Sequence, residues 1–203
     1  MQIFTRVRRF FFRKVYVDFI LRLSFKLMGQ RNVIGLPLQL TPDVISIGSD
    51  CYIYKNCRIE GVKEYEGVKY RPSISIGNFV SIQQNLHLTC ADNISVGDYV
   101  AIAANVTITD IEHPYEDVNI PIEKAHLNVK PVRIGAETKI YNNSVILPGT
   151  ILGKHCVVGA NSVVSGIFPD FCVIVGTPAR IVKRYSFKHE MWLRTDKEGN
   201  FLS

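Results

Sequence analysis

VRIGAETKIYNNSVILPGTILGKHCVVGANSVVSGIFPDFCVIVGTPARI, residues 132–181, decides the fold. Aliphatic side chains recur at every sixth position: Ile134, Ile140, Ile146, Leu152, Val158 and Val164. A helix repeats about every 3.6 residues and a strand about every 2, so neither gives that spacing. A six-residue repeat is the signature of a parallel β-helix, each repeat being one short strand and a turn. One repeat cannot bury its apolar side chain alone, so successive coils must stack. Four residues after each aliphatic stands a small or medium residue, Thr138, Ser144, Thr150, Cys156 or Ser162, aimed into the same narrow interior. Asn143, Gly149 and Asn161 fall where the chain must bend between flat faces, and these types tolerate positive φ. Three hexads make one triangular coil, and columns of aliphatics then line a prism.

The rhythm extends upstream. It starts loosely at Ile34 and Leu40 and runs through Ile47, Ile53 and Ile59. It returns at Ile76, Ile82 and Leu88, then slips two residues to Val96, Ile102 and Ile108. Gly48, Gly77, Gly97, Gly135, Gly153 and Gly159 each follow an aliphatic and keep that outward slot small or flexible. Two stretches break phase. Residues 61–73, GVKEYEGVKYRPS, read as a small hairpin or loop projecting from a corner. Residues 109–131, TDIEHPYEDVNIPIEKAHLNVKP, form a long irregular insertion in a periodic solenoid, and function is expected in such a place.

The ends differ from the middle. In residues 1–30, Phe4, Val7, Phe11, Val15, Phe19, Leu23 and Leu27 follow helical spacing, amid seven basic side chains and the single acid Asp18. The spacing predicts an amphipathic helix, either capping the open end of the coil or contacting an anionic membrane surface. The β-helix is expected over 31–184, and the tail 185–203 as a short helix and a loose end. The five cysteines are odd in number and lack a CxxC; Cys51, Cys57 and Cys156 occupy the small interior slot, so buried reduced thiols are expected. Neither a secretory signal pattern nor an apolar stretch long enough to span a bilayer is present. The basic excess is concentrated in 1–30 and no nucleic-acid module is visible, which argues against nucleic-acid binding.

IAANVTITDIEHPY, the loop after it, SVILPGTILGKHCVVGANSVVSGIFP and VGTPARIVK together resemble the hexapeptide-repeat acyltransferases. Within them the likeness is to the galactoside, maltose and xenobiotic acetyltransferases and to bacterial polysaccharide O-acetyltransferases. It covers roughly 40–184. The resemblance implies a left-handed β-helix and a homotrimer. It also implies acetyl-CoA in a groove between adjacent subunits, with a loop histidine as base. It further implies a sugar hydroxyl as acceptor, in surface-polysaccharide biosynthesis at the cytoplasmic face of the membrane. A free sugar, antibiotic or amino acid would use the same machinery.

Acetyl transfer to a hydroxyl needs a base, donors to the oxyanion and alignment of both substrates. Histidine suits the first task, since its ordinary pKa lies near working pH. Of five histidines, His113 alone sits just past the last hexad before the loop, where the family carries its catalytic one. Asp110, three residues earlier, either orients the imidazole or caps a turn. By family position Asn85 and Asp92 contact the acceptor, and Asn143, Ala160, Ser165 and Gly166 line the pantetheine arm. Arg180 and Lys183 meet the phosphates. Ile140, Tyr141 and Asn142 replace a Trp-Ile-Gly run of the family, which alters the acceptor side. A metal-dependent relative of the γ-carbonic anhydrase type needs three converging histidines, and His87, His113, His126 and His155 lack that spacing, so no metal is expected. A non-catalytic scaffold is the other rival.

Overall fold

The computed structural model describes residues 21–196 and 199–202. Three flat sheets of seven, nine and six strands, here faces A, B and C, wrap one core, all parallel except the last two strands of face B. Each six-residue column becomes one register row. On face B, Ile34, Ile53, Ile82, Ile102, Ile140, Val158 and Ile174 stand directly above one another. On face C the row is Leu40, Ile59, Leu88, Ile108, Ile146 and Val164. All but Leu40 in these rows are buried, at about 1.5–3 kcal/mol per aliphatic side chain taken out of water.

The small interior slots have a second duty. Thr138, Ser144, Thr150 and Ser162 are buried hydroxyls. Ser144 donates to the carbonyl of Gly159 at 2.9 Å and Thr150 to that of Val164 at 3.1 Å, in the coil below. Cys51 and Cys57 reach the carbonyls of Gly77 and Gln83 in the same way. Corner carbonyls that no strand partner can reach are thereby satisfied. All five cysteines are free and buried, and burial pushes the Cys51 and Cys57 thiols up.

The corners explain the turn residues. Asn56, Asn85, Asn105, Asn143 and Asn161 all have φ near +60° and stack at the corner between faces B and C. Gly135 has an unforced φ; its smallness serves close approach, because a Cβ there would lie 2.3 Å from the carbonyl oxygen of Gly153. The corner between faces C and A carries the projections. Glu64–Tyr65 and Val68–Lys69 make an antiparallel hairpin, turning at Glu66 and Gly67 with positive φ. Residues 109–131 are likewise a ribbon, with Ile111–Glu112 antiparallel to Asn128–Val129 and a 3-10 turn at Ile122–Lys124.

Both ends depart from expectation. The predicted N-terminal helix lies, through residue 20, outside the described residues. Beyond it, Leu27–Met28 is already a strand paired with Ile45–Ile47. Leu21, Phe25 and Met28 join the core, whereas Leu23 and Leu27 of the predicted stripe are exposed. The open backbone edge of the first coil recruits the chain as a strand. The C-terminal tail is not helical. Ala179–Ser186 turns back antiparallel on Cys172–Gly176, and Met191–Arg194 pairs with it in turn. Its β-branched and aromatic residues, with Tyr185 against Trp192 at 5.7 Å, suit a strand better than a helix once the last coil offers an unpaired edge.

Candidate active site

The chain leaves the coil after Thr107–Thr109. Asp110 is fully buried there. Its carboxylate accepts the N–H groups of Ala91 at 2.8 Å and Asp92 at 2.9 Å, and the Cys90 thiol donates to it at 3.3 Å. Its own carbonyl accepts the Lys130 N–H at 2.8 Å. One side chain thus ties the preceding corner to the root of the ribbon. A buried carboxylate needs donors, and the tight 90–92 corner supplies them; the carboxylate's hydrogen bonds run to this corner. Thr109 directs the exit: its hydroxyl accepts from the Ile111 N–H at 3.1 Å and from the Thr89 hydroxyl at 3.0 Å.

His113 follows immediately. Its ring meets Tyr65 of the hairpin edge to face, with centroids 5.4 Å apart and planes at 75°. The two close a cleft of about 250 Å³ over the outer surface of face C, floored by Arg58, Thr89 and Thr109 and walled by Ile111. Nδ1 of His113 is buried without a hydrogen-bond partner among the described residues. Tyr65 in turn holds the ribbon: its hydroxyl lies 2.6 Å from the Glu123 carbonyl and 3.0 Å from the Glu123 carboxylate. Burial first, and then that carboxylate, push the Tyr65 phenol up. Beside the cleft, His87 is the register neighbour of Arg58. Burial, and next the Arg58 charge, hold its pKa below the usual value, which favours the neutral imidazole.

The remaining candidates divide between the two edges of face C. Asp92 is exposed at the C–A corner, near the ribbon root. Ser165 and Gly166, with φ of 109° at the glycine, lie exposed on the same edge in a later coil. Asn85, Asn143 and Ala160 lie on the opposite edge, about 13 Å away across a four-residue strand. There the asparagines form a ladder: the Asn85 amide donates to Asn105 at 2.9 Å, Asn105 to Asn143 at 3.1 Å and Asn143 to Asn161 at 3.1 Å. Asn85 is therefore joined to its neighbours in the stack and is not drawn towards His113 within one chain. Arg180 and Lys183 are exposed on the antiparallel strand past the last coil. Among the described residues no three metal-ligating side chains gather.

The sequence reading missed Tyr65, Arg58 and Thr89. Arg58 and Thr89 flank the inward Ile59 and Leu88, so simple alternation marks them as outward on one face. Nothing local connects Tyr65 with His113.

A family model described as bacterial transferase hexapeptide, six repeats, matches residues 131–166. A relative in Escherichia coli K12, WbbJ, named for lipopolysaccharide biosynthesis O-acetyl transfer, is 36% identical over 129 residues, 60% of this chain and 66% of that one. The repeat match and this relative support placing the chain in the hexapeptide-repeat acyltransferase superfamily. A Mycobacterium tuberculosis relative named as an acetyltransferase is 29% identical over 157 residues, 77% of this chain and 50% of that one. The matches thus span less than two thirds of either relative. Two solved structures share the fold of this hexapeptide-repeat chain. AntD, an N-acyltransferase from Bacillus cereus in complex with dTDP and coenzyme A, superposes with a TM-score of 0.69 at 21% identity, over 85% of this chain and 91% of that one. A Vibrio cholerae hexapeptide-repeat acetyltransferase complexed with acetyl-CoA gives 0.58 at 21%, over 88% and 83%. The three-faced prism is accordingly the left-handed parallel β-helix of this superfamily.

Proposed function

We propose that this chain transfers the acetyl group of acetyl-CoA to a hydroxyl of a sugar, a precursor of a bacterial surface polysaccharide. The observation that carries the reading is His113, set on a ribbon over a hydroxyl-lined cleft with a buried, unpartnered ring nitrogen. Such an atom costs about 1–3 kcal/mol and calls for a group brought by substrate or by a neighbouring subunit. In the reaction His113 takes the hydroxyl proton as the acceptor oxygen attacks the thioester carbonyl. The tetrahedral oxyanion collapses, the C–S bond breaks and the imidazolium returns the proton to the coenzyme A thiolate. The products are an acetyl ester and free coenzyme A; no covalent enzyme intermediate is needed.

The split of candidates across face C favours a homotrimer, in which the asparagine edge of one subunit meets the His113 edge of the next. Asn85 and Asp92 would then flank the acceptor. Asn143, Ala160, Ser165 and Gly166 would take the pantetheine arm on exposed coil backbone. Arg180 uses one guanidinium nitrogen on the Ala179 carbonyl, so its others, with Lys183, remain for the phosphates. Release of free thiol from acetyl-CoA across a panel of sugars, amino sugars and small hydroxyl compounds tests this. Thiol release that depends on a hydroxylated sugar, with one acetyl group gained by that sugar, is expected. Release confined to amino sugars reassigns the acceptor, and release with none of the panel, alongside no acetyl-CoA binding, removes the enzymatic reading.

A peripheral contact with the inner face of the cytoplasmic membrane is part of the proposal. A cleft of about 620 Å³ on the far side of the hairpin is lined by Lys26, Lys63, Lys69 and Arg71, with Glu64 the acid among them. Lys63 is paired with Asp43. This surface continues the basic character of 1–30. The full chain is expected to sediment with vesicles containing phosphatidylglycerol and not with neutral ones, the binding fading as salt rises. Equal recovery in the supernatant with both vesicles leaves 1–30 as a cap.

A further inference from the structure

The hairpin at 64–69 interrupts the coil, yet among the described residues the ties that it and its flanking Tyr70 make beyond the coil run to the ribbon that carries His113. Tyr65 binds Glu123. Glu66 pairs with Lys124 at 3.0 Å. The Leu127 N–H donates to the Tyr70 hydroxyl at 2.9 Å. These contacts join residues 57 and 58 positions apart, and they engage the ribbon on the 3-10 turn at Ile122–Lys124 and just before its return strand, away from the root that Asp110 secures. A ribbon of this length, rooted at one end alone, is free to swing. The hairpin supplies the second anchor, and Tyr65 places its ring against the imidazole.

We propose that Tyr65 is a positioning residue for His113. Its ring, packed edge to face, fixes the plane of the imidazole and shields it on one side. Its hydroxyl, through Glu123, locks the hairpin to the ribbon. The inference rests on the acetyl-transfer reading for its kinetic consequence but not for its structural one. Misplacing a reacting group by about 1 Å can cost about a hundredfold in rate, so the contact matters to chemistry as well as to shape. Phenylalanine at this position keeps the ring contact and loses the hydroxyl; alanine loses both.

Two readouts test it on the full chain. The first is the rate at which diethylpyrocarbonate acylates each histidine, resolved by peptide mass, with exposed His155 and His189 in the same digest as references. Tyr65→Ala is expected to speed modification of His113 severalfold and leave the references alone, and Tyr65→Phe to stay near the unmodified protein. The second is steady-state acetyl transfer. Tyr65→Ala is expected to lower kcat on the order of ten- to a hundredfold with the KM for acetyl-CoA unchanged, and Tyr65→Phe to recover most of that loss. Equal His113 modification in all three proteins overturns the proposal, as does an unchanged kcat in Tyr65→Ala. Should the unmodified protein transfer no acetyl group, the acetyl-transfer reading fails, while the modification rates still decide the role of Tyr65.

Discussion

His113→Ala is expected to fold, to bind acetyl-CoA as before, and to transfer acetyl groups at least about a hundredfold more slowly. A general base of this kind supplies roughly 10²–10⁴-fold. The loss should fall on kcat, because the imidazole is asked to move a proton and not to hold the donor. The fold should survive, since His113 lies on the projecting ribbon and outside the buried rows of the prism. Initial rates of thiol release, calorimetric titration with acetyl-CoA and a thermal melt separate the three statements. Undiminished turnover in a well-folded variant removes His113 as the base. A melt shifted far down instead assigns the side chain to the packing of ribbon on hairpin.

The second large effect is on stability. Asp110→Ala should lower the free energy of unfolding by about 2–5 kcal/mol. The substitution strands the buried N–H of Ala91 and the part-buried one of Asp92, at about 1–3 kcal/mol for a fully buried group, and leaves the Cys90 thiol without its acceptor. Urea denaturation monitored by circular dichroism reads the loss as a lower midpoint at unchanged slope. Transfer should fall as well, because the ribbon root loosens. The contrary pattern, full stability with rate alone abolished, returns Asp110 to the imidazole.

The prism was legible in the sequence because a side chain facing a narrow interior has few permitted types, and the chain returns to that interior at a fixed interval. Ile82, Ile102 and Ile140 announce their row without any knowledge of distant residues. Asn85 was harder. Its residue type is explained by a positive φ and equally by a substrate contact, and the ladder to Asn105 shows what the side chain holds in the isolated chain. Asp110 posed the same ambiguity, and the Asp110→Ala variant separates its two readings. Tyr65 was beyond reach, because its partners His113 and Glu123 are remote in sequence and share no period with it. The tail misled for a related reason. Residues 185–203 have little pattern of their own, and the strand at Met191–Arg194 comes from the unpaired edge it meets.

The constant pitch of the stack makes it a gauge. From Ala101–Ile102, in the turn of the prism that launches the ribbon, the strands of face B succeed one another through Lys139–Ile140, Val157–Val158 and Cys172–Gly176 to Ala179–Ser186, which bears Arg180 and Lys183. Four steps of about 4.8 Å put those cations roughly 19 Å below the launching level. If Arg180 and Lys183 take the donor's phosphates as proposed, the donor has to stretch that far to offer its acyl end at the upper mark. On that reading, deleting eighteen residues, one full turn, would shorten the scale by a single graduation and favour a shorter carrier.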